Sequence, residues 1–224
     1  MTVDLSRGCG NPIAYADLRP GETVVDLGCG AGIDVILAAR KVWSGGRVIG
    51  IDVSPEMIKQ AKQAVVEAEL ERAGIQLMVG AIEDTRLPDE SADAVISNCV
   101  INLCPDKAAV YREAFRILKP GGRIAVSDIL LTEHLDPDLE ETLRANWSGC
   151  LGGAAVEQDY WRIIESAGFA ELSVVSRHVL NPDELFVISC CPGEDFSSAP
   201  PPEILAAAQG KAESVKFSAR KPTV

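Results

Sequence analysis

The chain has 224 residues, 47% of them apolar, and a formal net charge of −12. Its length suits one self-sufficient core, and its acidity disfavours nucleic acid or an anionic membrane surface as partner. No apolar run approaches the ~20 residues of a membrane span, and the first seven residues lack a basic flank with an apolar core behind it, so a cytoplasmic protein is expected.

Taken in order, residues 1–21 read as an N-terminal segment. Gly8-Cys9-Gly10-Asn11-Pro12 is a turn cluster, a short helix is expected from Pro12 to Leu18, and Arg19-Pro20-Gly21 breaks it. Val24 to Leu27 is an apolar run suited to a buried parallel strand, followed by a glycine turn and an amphipathic helix over Ile33–Lys41. Arg47–Asp52 is a second strand ending in an acid. Ser54-Pro55 opens a helix running toward Ala73, with serine as cap and proline in the first turn. Strands are expected at Ile75–Val79, Ala92–Ser97 and Gly122–Leu130, with a helix over Lys107–Leu118 before the last of these. Helices follow at Asp138 to about Trp147 and at Glu157–Ala167, then strands at Leu172–His178 and Glu184–Cys190. Alternating strands and helices imply an α/β fold: a doubly wound, mostly parallel seven-stranded sheet with helices on both faces. The domain is expected to span residues 1–192. Residues 193–224 then form a Pro/Ser linker and a tail with room for one short helix and one short edge strand.

The turn carries Gly28, Gly30 and Gly32 at every second position. A dinucleotide turn wants a third glycine or alanine where Ile33 stands, so the spacing argues against that ligand. Asp52 ends the second strand, where a carboxylate can accept from ribose hydroxyls, and Gly80-Ala81-Ile82-Glu83-Asp84 follows the third strand. In this order the signals resemble class I S-adenosylmethionine-dependent methyltransferases over nearly the whole chain. The resemblance implies that Gly28, Gly30 and Gly32 let the backbone approach the methionine part of the donor and that Asp52 binds ribose. It also implies that Ile82 and Glu83 flank the adenine and that Asn98 lies near the methionyl end. Asp26 would orient the turn or the donor's amino group. Met57 suits either an apolar cover for the adenine or the core of its own helix.

The acceptor is written elsewhere. Oxygen and nitrogen acceptors often need a base near the fourth strand, but Ser97-Asn98-Cys99-Val100-Ile101-Asn102-Leu103 offers none. The chain has seven cysteines and only two histidines, His134 and His178. An odd number of cysteines without an export signal reads as thiols, not as a disulfide framework. Cys9, Cys99 and Cys150 sit in similar turn settings, and three converging thiolates suit a soft trivalent centre such as arsenic(III). Bound by sulfur it keeps a lone pair able to attack a sulfonium methyl without a base.

Gly8-Cys9-Gly10-Asn11-Pro12, Ile96 to Leu103 with Pro105-Asp106-Lys107, and Cys150-Leu151-Gly152-Gly153-Ala154 resemble motifs of the arsenite S-adenosylmethionine methyltransferases. The resemblance implies arsenic detoxification, with Cys99 and Cys150 holding trivalent arsenicals and Cys9 completing the trithiolate and taking part in redox turnover. Glutathione or thioredoxin would reopen the resulting disulfide, and a monomer is expected. Many members carry a further cysteine upstream of the Gly-Cys-Gly motif, and this chain starts eight residues before Cys9 without it. That bears on repeated methylation and redox cycling more than on arsenic binding. Two other readings stay open: a carbon or oxygen methyltransferase for a small molecule, and a catalytically impaired arsenical-binding protein. Cys29 reads as a small buried hydrophobe, Cys104 as structural or as an accessory thiol near Cys99, and Cys190 and Cys191 as structural or edge thiols or as a vicinal pair that captures arsenic. His134 and His178 read as surface or core residues, and Trp147 as a core anchor or a wall of the arsenic pocket.

Overall fold

The computed structural model describes residues 10–138, 140–141, 150–181, 183–185, 206 and 208–223. Its first half holds β1 (Thr23–Leu27), α1 (Ile33–Val42), β2 (Arg47–Asp52), α2 (Pro55–Glu67), β3 (Ile75–Val79) and β4 (Ala92–Asn98). There follow α3 (Lys107–Ile117), β5 (Leu118–Leu131), α4 (Glu157–Ser166), β6 (Ala170–Val179) and β7 (Ala212–Arg220). The strands form one seven-stranded sheet in the order β3-β2-β1-β4-β5-β7-β6. β1 to β5 pair in parallel, and β7 runs antiparallel to both β5 and β6. The expected fold class is therefore the observed one.

The helix starts follow their sequence signals. Ser54 Oγ accepts from Met57 N at 3.3 Å with Pro55 in the first turn, and Asp106 caps α3 through Ala109 N at 2.9 Å. The helix expected from Pro12 to Leu18 is only a 3-10 turn over Pro12–Ala14. α2 stops at Glu67, short of the expected Ala73. Glu69 takes a left-handed φ of 57°, and Leu70 N turns back to the Val65 carbonyl at 3.0 Å. Leu70 and Ala73 continue the helical spacing in sequence but bury as a return loop.

The largest correction concerns the end of the chain. The last strand is not Glu184–Cys190: Asp183–Leu185 is helical, and the rest of that stretch lies outside the described residues. The seventh strand is β7, from the tail, and it lies between β5 and β6 instead of at the edge. Its alternation explains why, since Val215, Phe217 and Ala219 all point into the core under α3 and α4. The expected helix beyond 141 and residues Trp147, Cys190 and Cys191 also lie outside the described residues.

Two apolar layers sandwich the sheet. One gathers Tyr111, Tyr160, Phe169 and Phe217 beneath α3 and α4, and the other packs α1 and α2 on β1, β2 and β4. A third cluster sits beyond the carboxyl ends of β4 and β5 and contains Cys99. His134 and His178 are exposed beside carboxylates. No helix among the described residues is long and apolar enough to cross a membrane.

Candidate active site

The glycine turn is held by its neighbours. Gly28 N and Cys29 N donate to the Ile51 carbonyl at 2.8 and 3.0 Å, and Gly32 N donates to the Cys29 carbonyl at 2.8 Å. Asp52, at the end of β2, accepts from Gly30 N and Ser54 N, both at 2.9 Å, one on each carboxylate oxygen. Each oxygen retains acceptor capacity for a ribose hydroxyl. Cys29 packs inward against β2 as a buried hydrophobe, and burial holds its thiol far above its ordinary pKa.

Gly30 has a φ of 49°, and a Cβ built on it would meet nothing within 4 Å. The space above it is open for a ligand. Gly30→Ala is therefore expected to cost roughly 1–2 kcal/mol of fold stability, the strain of a left-handed alanine. It should nevertheless abolish measurable donor binding by calorimetry, because the methyl group fills the ligand's place. Unchanged donor affinity would remove the turn from the site.

Around this turn lie carboxyl groups short of partners. Asp26 is buried, with Oδ2 unpartnered, and its pKa is raised well above the usual carboxylate range by burial, then by Asp34 and Asp52. Asn98 donates from Nδ2 to the Gly10 carbonyl at 2.8 Å and to Asp34 Oδ2 at 2.9 Å, while its Oδ1 is buried without a partner. Burial also raises the Asp34 pKa. Orphaned acceptors of this kind suit a cationic ligand group, which the methionyl ammonium of S-adenosylmethionine would supply.

The residues expected to border an adenine lie around the carboxyl ends of β2 and β3. Ile82 is buried in the main core, Glu83 is exposed, and Met57 is half-buried in the first turn of α2. A cavity here is lined by residues including Ile51, Met78, Val79, Gly80 and Ala81. Thr85 anchors the loop to α3 by donating N–H and O–H to Glu113 Oε1. Sequence reasoning missed Val53, 74% exposed just past Asp52, and Val79, exposed at the end of β3. Each is an apolar residue left in water where a flat ring would cover it.

Cys99 and Cys150, 51 positions apart, are brought together: Cys150 Sγ lies 3.1 Å from the Cys99 carbonyl oxygen. Cys99 is buried at a left-handed φ of 59°, and its N–H donates to the Ser127 carbonyl at 2.8 Å. The Cys150 loop closes on the Cys99 loop through Gly153, whose absent Cβ would fall 1.9 Å from the Asn102 carbonyl. Only glycine permits that approach. Val100, next to Cys99, packs its side chain against Gly28, so the Cys99 loop abuts the glycine turn. Cys99 is disulfide-bonded, contrary to the expectation of thiols throughout. Cys104 is a free thiol packed against a different cluster, its pKa pushed up to about 11, first by burial. Cys9 lies outside the described residues, and among those described no three His, Cys, Asp or Glu side chains are placed to hold a metal ion.

Residues 18–168 match the family described as "Methyltransferase domain". The chain is 41% identical over 181 residues to the arsenite methyltransferase of Halobacterium salinarum, covering 78% of this chain and 44% of the relative. To the Mus musculus arsenite methyltransferase it is 34% identical over 181 residues, covering 77% and 47%. An arsenic(III) S-adenosylmethionine methyltransferase from Chlamydomonas reinhardtii superposes with a TM-score of 0.76 at 31% identity, over 97% of this chain and 68% of that one. The chain belongs to the arsenite S-adenosylmethionine methyltransferase family. It spans about half the length of the curated relatives it matches.

Proposed function

We propose that this chain transfers a methyl group from S-adenosylmethionine to thiolate-bound trivalent arsenic, as part of arsenic detoxification. The observation that carries the reading is the meeting of Cys99 and Cys150 one residue from the donor turn. When bound, S-adenosylmethionine supplies an electrophilic methyl group on a sulfonium. Gly28, Gly30 and Gly32 form the floor of its site, Asp52 faces its ribose, and Asp26 and Asn98 offer acceptors to its ammonium. Met57, Ile82 and Glu83 border the adenine. Once a thiol reductant has opened the Cys99 disulfide, Cys99 and Cys150, with Cys9 as third ligand, hold arsenic as a pyramidal trithiolate that keeps its lone pair. The lone pair takes the methyl group, so no protein base is required, which agrees with the absence of a histidine from the site. Methylation leaves arsenic formally pentavalent. Two thiolates return it to the trivalent state by giving up two electrons as a disulfide, which glutathione or thioredoxin then reopens. Incubation with arsenite, S-adenosylmethionine and thiols, followed by arsenic speciation, tests the reading. Methylated arsenic is the expected product, and donor binding without it would favour an arsenical-binding role.

The carboxyl cluster makes donor binding pH-dependent. Asp26 and Asp34 have raised pKa values because burial, and for Asp26 the neighbouring carboxylates, penalise the charged form. Without a ligand, that cost of ionisation lowers fold stability as pH rises through those values. A bound ammonium and sulfonium favour ionised carboxylates, so binding releases protons and tightens as pH rises. Calorimetry between about pH 5 and 8 in buffers of different ionisation enthalpy should show that release, reduced in Asp34→Asn. Affinity that falls with pH would contradict the assignment.

A further inference from the structure

A polar row runs from Asn98 away from the glycine turn, and its other members have no role so far. Asn98 on β4 is in register with Ser127 on β5, and Ser127 with Lys216 on β7. Paired residues on adjacent strands share a face, so the three side chains stand side by side. Gly10 lies over them: a Cβ there would fall 2.2 Å from Ser127 Oγ and 3.0 Å from Lys216 Cε. Ser127 is fully buried and its Oγ has no hydrogen-bond partner. Tyr15 lies beside it, its buried hydroxyl facing the Ser127 hydroxyl, and neither has a further partner. Lys216 is half-buried, and no carboxylate among the described residues pairs with it.

The orphans sort by chemistry. Asp26 Oδ2 and Asn98 Oδ1 are acceptors, with Asp34 beside them. Tyr15, Ser127 and Lys216 are donors, and burial with Asp34 and Asp128 nearby keeps the Tyr15 phenol protonated far above its ordinary pKa. Unsatisfied acceptors next to unsatisfied donors are the complement of an α-amino acid zwitterion, and buried polar groups are rarely left unpaired without a ligand or water.

We propose that Tyr15, Ser127 and Lys216 form a carboxylate clamp for the amino-acid end of the methyl donor, beside the Asp26–Asn98 ammonium site. The inference rests on the donor reading given above. It makes β7 a contributor to the donor site, although donor sites of this kind are read from the ends of β1, β2 and β4. Two hydroxyl donors and an ammonium on one carboxylate are charge-assisted contacts.

The test compares S-adenosylmethionine with its decarboxylated analogue, by calorimetry on the full chain. The natural sequence should bind the carboxylate-bearing donor about a hundredfold more tightly, and Tyr15→Phe with Lys216→Met should bring the two within a few-fold. The change should come from weaker S-adenosylmethionine binding, with affinity for the analogue held. Ser127→Ala, a small change at a buried site, should alone cost roughly tenfold for the carboxylate ligand only. A preference that survives all three substitutions, or variants that weaken both ligands equally, would overturn the clamp. If the natural sequence binds both ligands equally, the clamp fails while the donor reading stands. If it binds neither, the donor reading fails.

Discussion

Cys99→Ser and Cys150→Ser are each expected to lower arsenite methylation by at least about a hundredfold while leaving donor affinity within about twofold, a loss of roughly 3 kcal/mol or more of transition-state stabilisation. The argument is one of ligand softness. A serine hydroxyl has nearly the size of a thiol but is a hard, protonated donor that holds trivalent arsenic poorly. Under reducing conditions, which open the Cys99 disulfide in the natural sequence as well, the substitutions leave the backbone contacts of both loops in place. A serine at position 150 can still donate to the Cys99 carbonyl, as the Cys150 thiol does at 3.1 Å, and the Cys99 amide remains bonded to the Ser127 carbonyl. The donor turn is secured independently, by Asp52 and the Ile51 carbonyl. Arsenic speciation after reaction under reducing thiol conditions, with calorimetry of the donor on the same samples, reads both halves. Full activity in either variant would sink the assignment of the thiols. A carbon or oxygen methyltransferase would show that insensitivity.

Much of this site is legible in the sequence because its determinants are local. The glycine turn, the acid ending β2 and the Ser54-Pro55 helix start each depend on a few consecutive residues, and each is where it was expected. Cys99 and Cys150 required more. Their neighbouring residues marked them, but only the fold sets Gly153 against Asn102 and so closes one loop on the other. What stayed hidden is what depends on register between distant strands. Ser127 and Lys216 are 89 positions apart and look like ordinary strand polar residues until β5 and β7 pair. Tyr15 looks like a short helix residue until the 3-10 turn sets its hydroxyl beside Ser127. Asp34, in the first turn of α1, resembles a routine helix-start acid, yet it faces Asn98 inside the site. The end of α2 was hidden for a related reason. Leu70 and Ala73 fit a helical stripe, and only the left-handed Glu69 turns them into a return loop.

A fragment ending at Pro192 is expected not to fold, although composition places a domain boundary there. Such a fragment lacks β7, which forms antiparallel ladders with β5 on one side and β6 on the other. Without it, β6 has no neighbour and β5 becomes an open edge, with rows of unpaired amides and carbonyls exposed. The core loses Val215, Phe217 and Ala219. Phe217 alone lies edge-on to Trp161 at 4.8 Å and to Tyr160 at 5.9 Å, so its side chain links α4 to the sheet. Lys221, just beyond the strand, donates to the Phe115 and Leu118 carbonyls and fastens the end of α3. Removing one buried aromatic typically costs about 3–5 kcal/mol, whereas a whole domain is stable by only about 5–15 kcal/mol. Loss of the full strand exceeds that margin. Phe217→Ala in the full chain provides the graded form of the same test and should lower unfolding stability by about 3–5 kcal/mol in urea titration. The 1–192 fragment should show no cooperative transition and no donor binding. A fragment that melts cooperatively near the full chain's temperature would mean that β7 rests on a sheet already complete. Its central place between β5 and β6, and its three residues buried beneath α3 and α4, argue that the sheet cannot close without it.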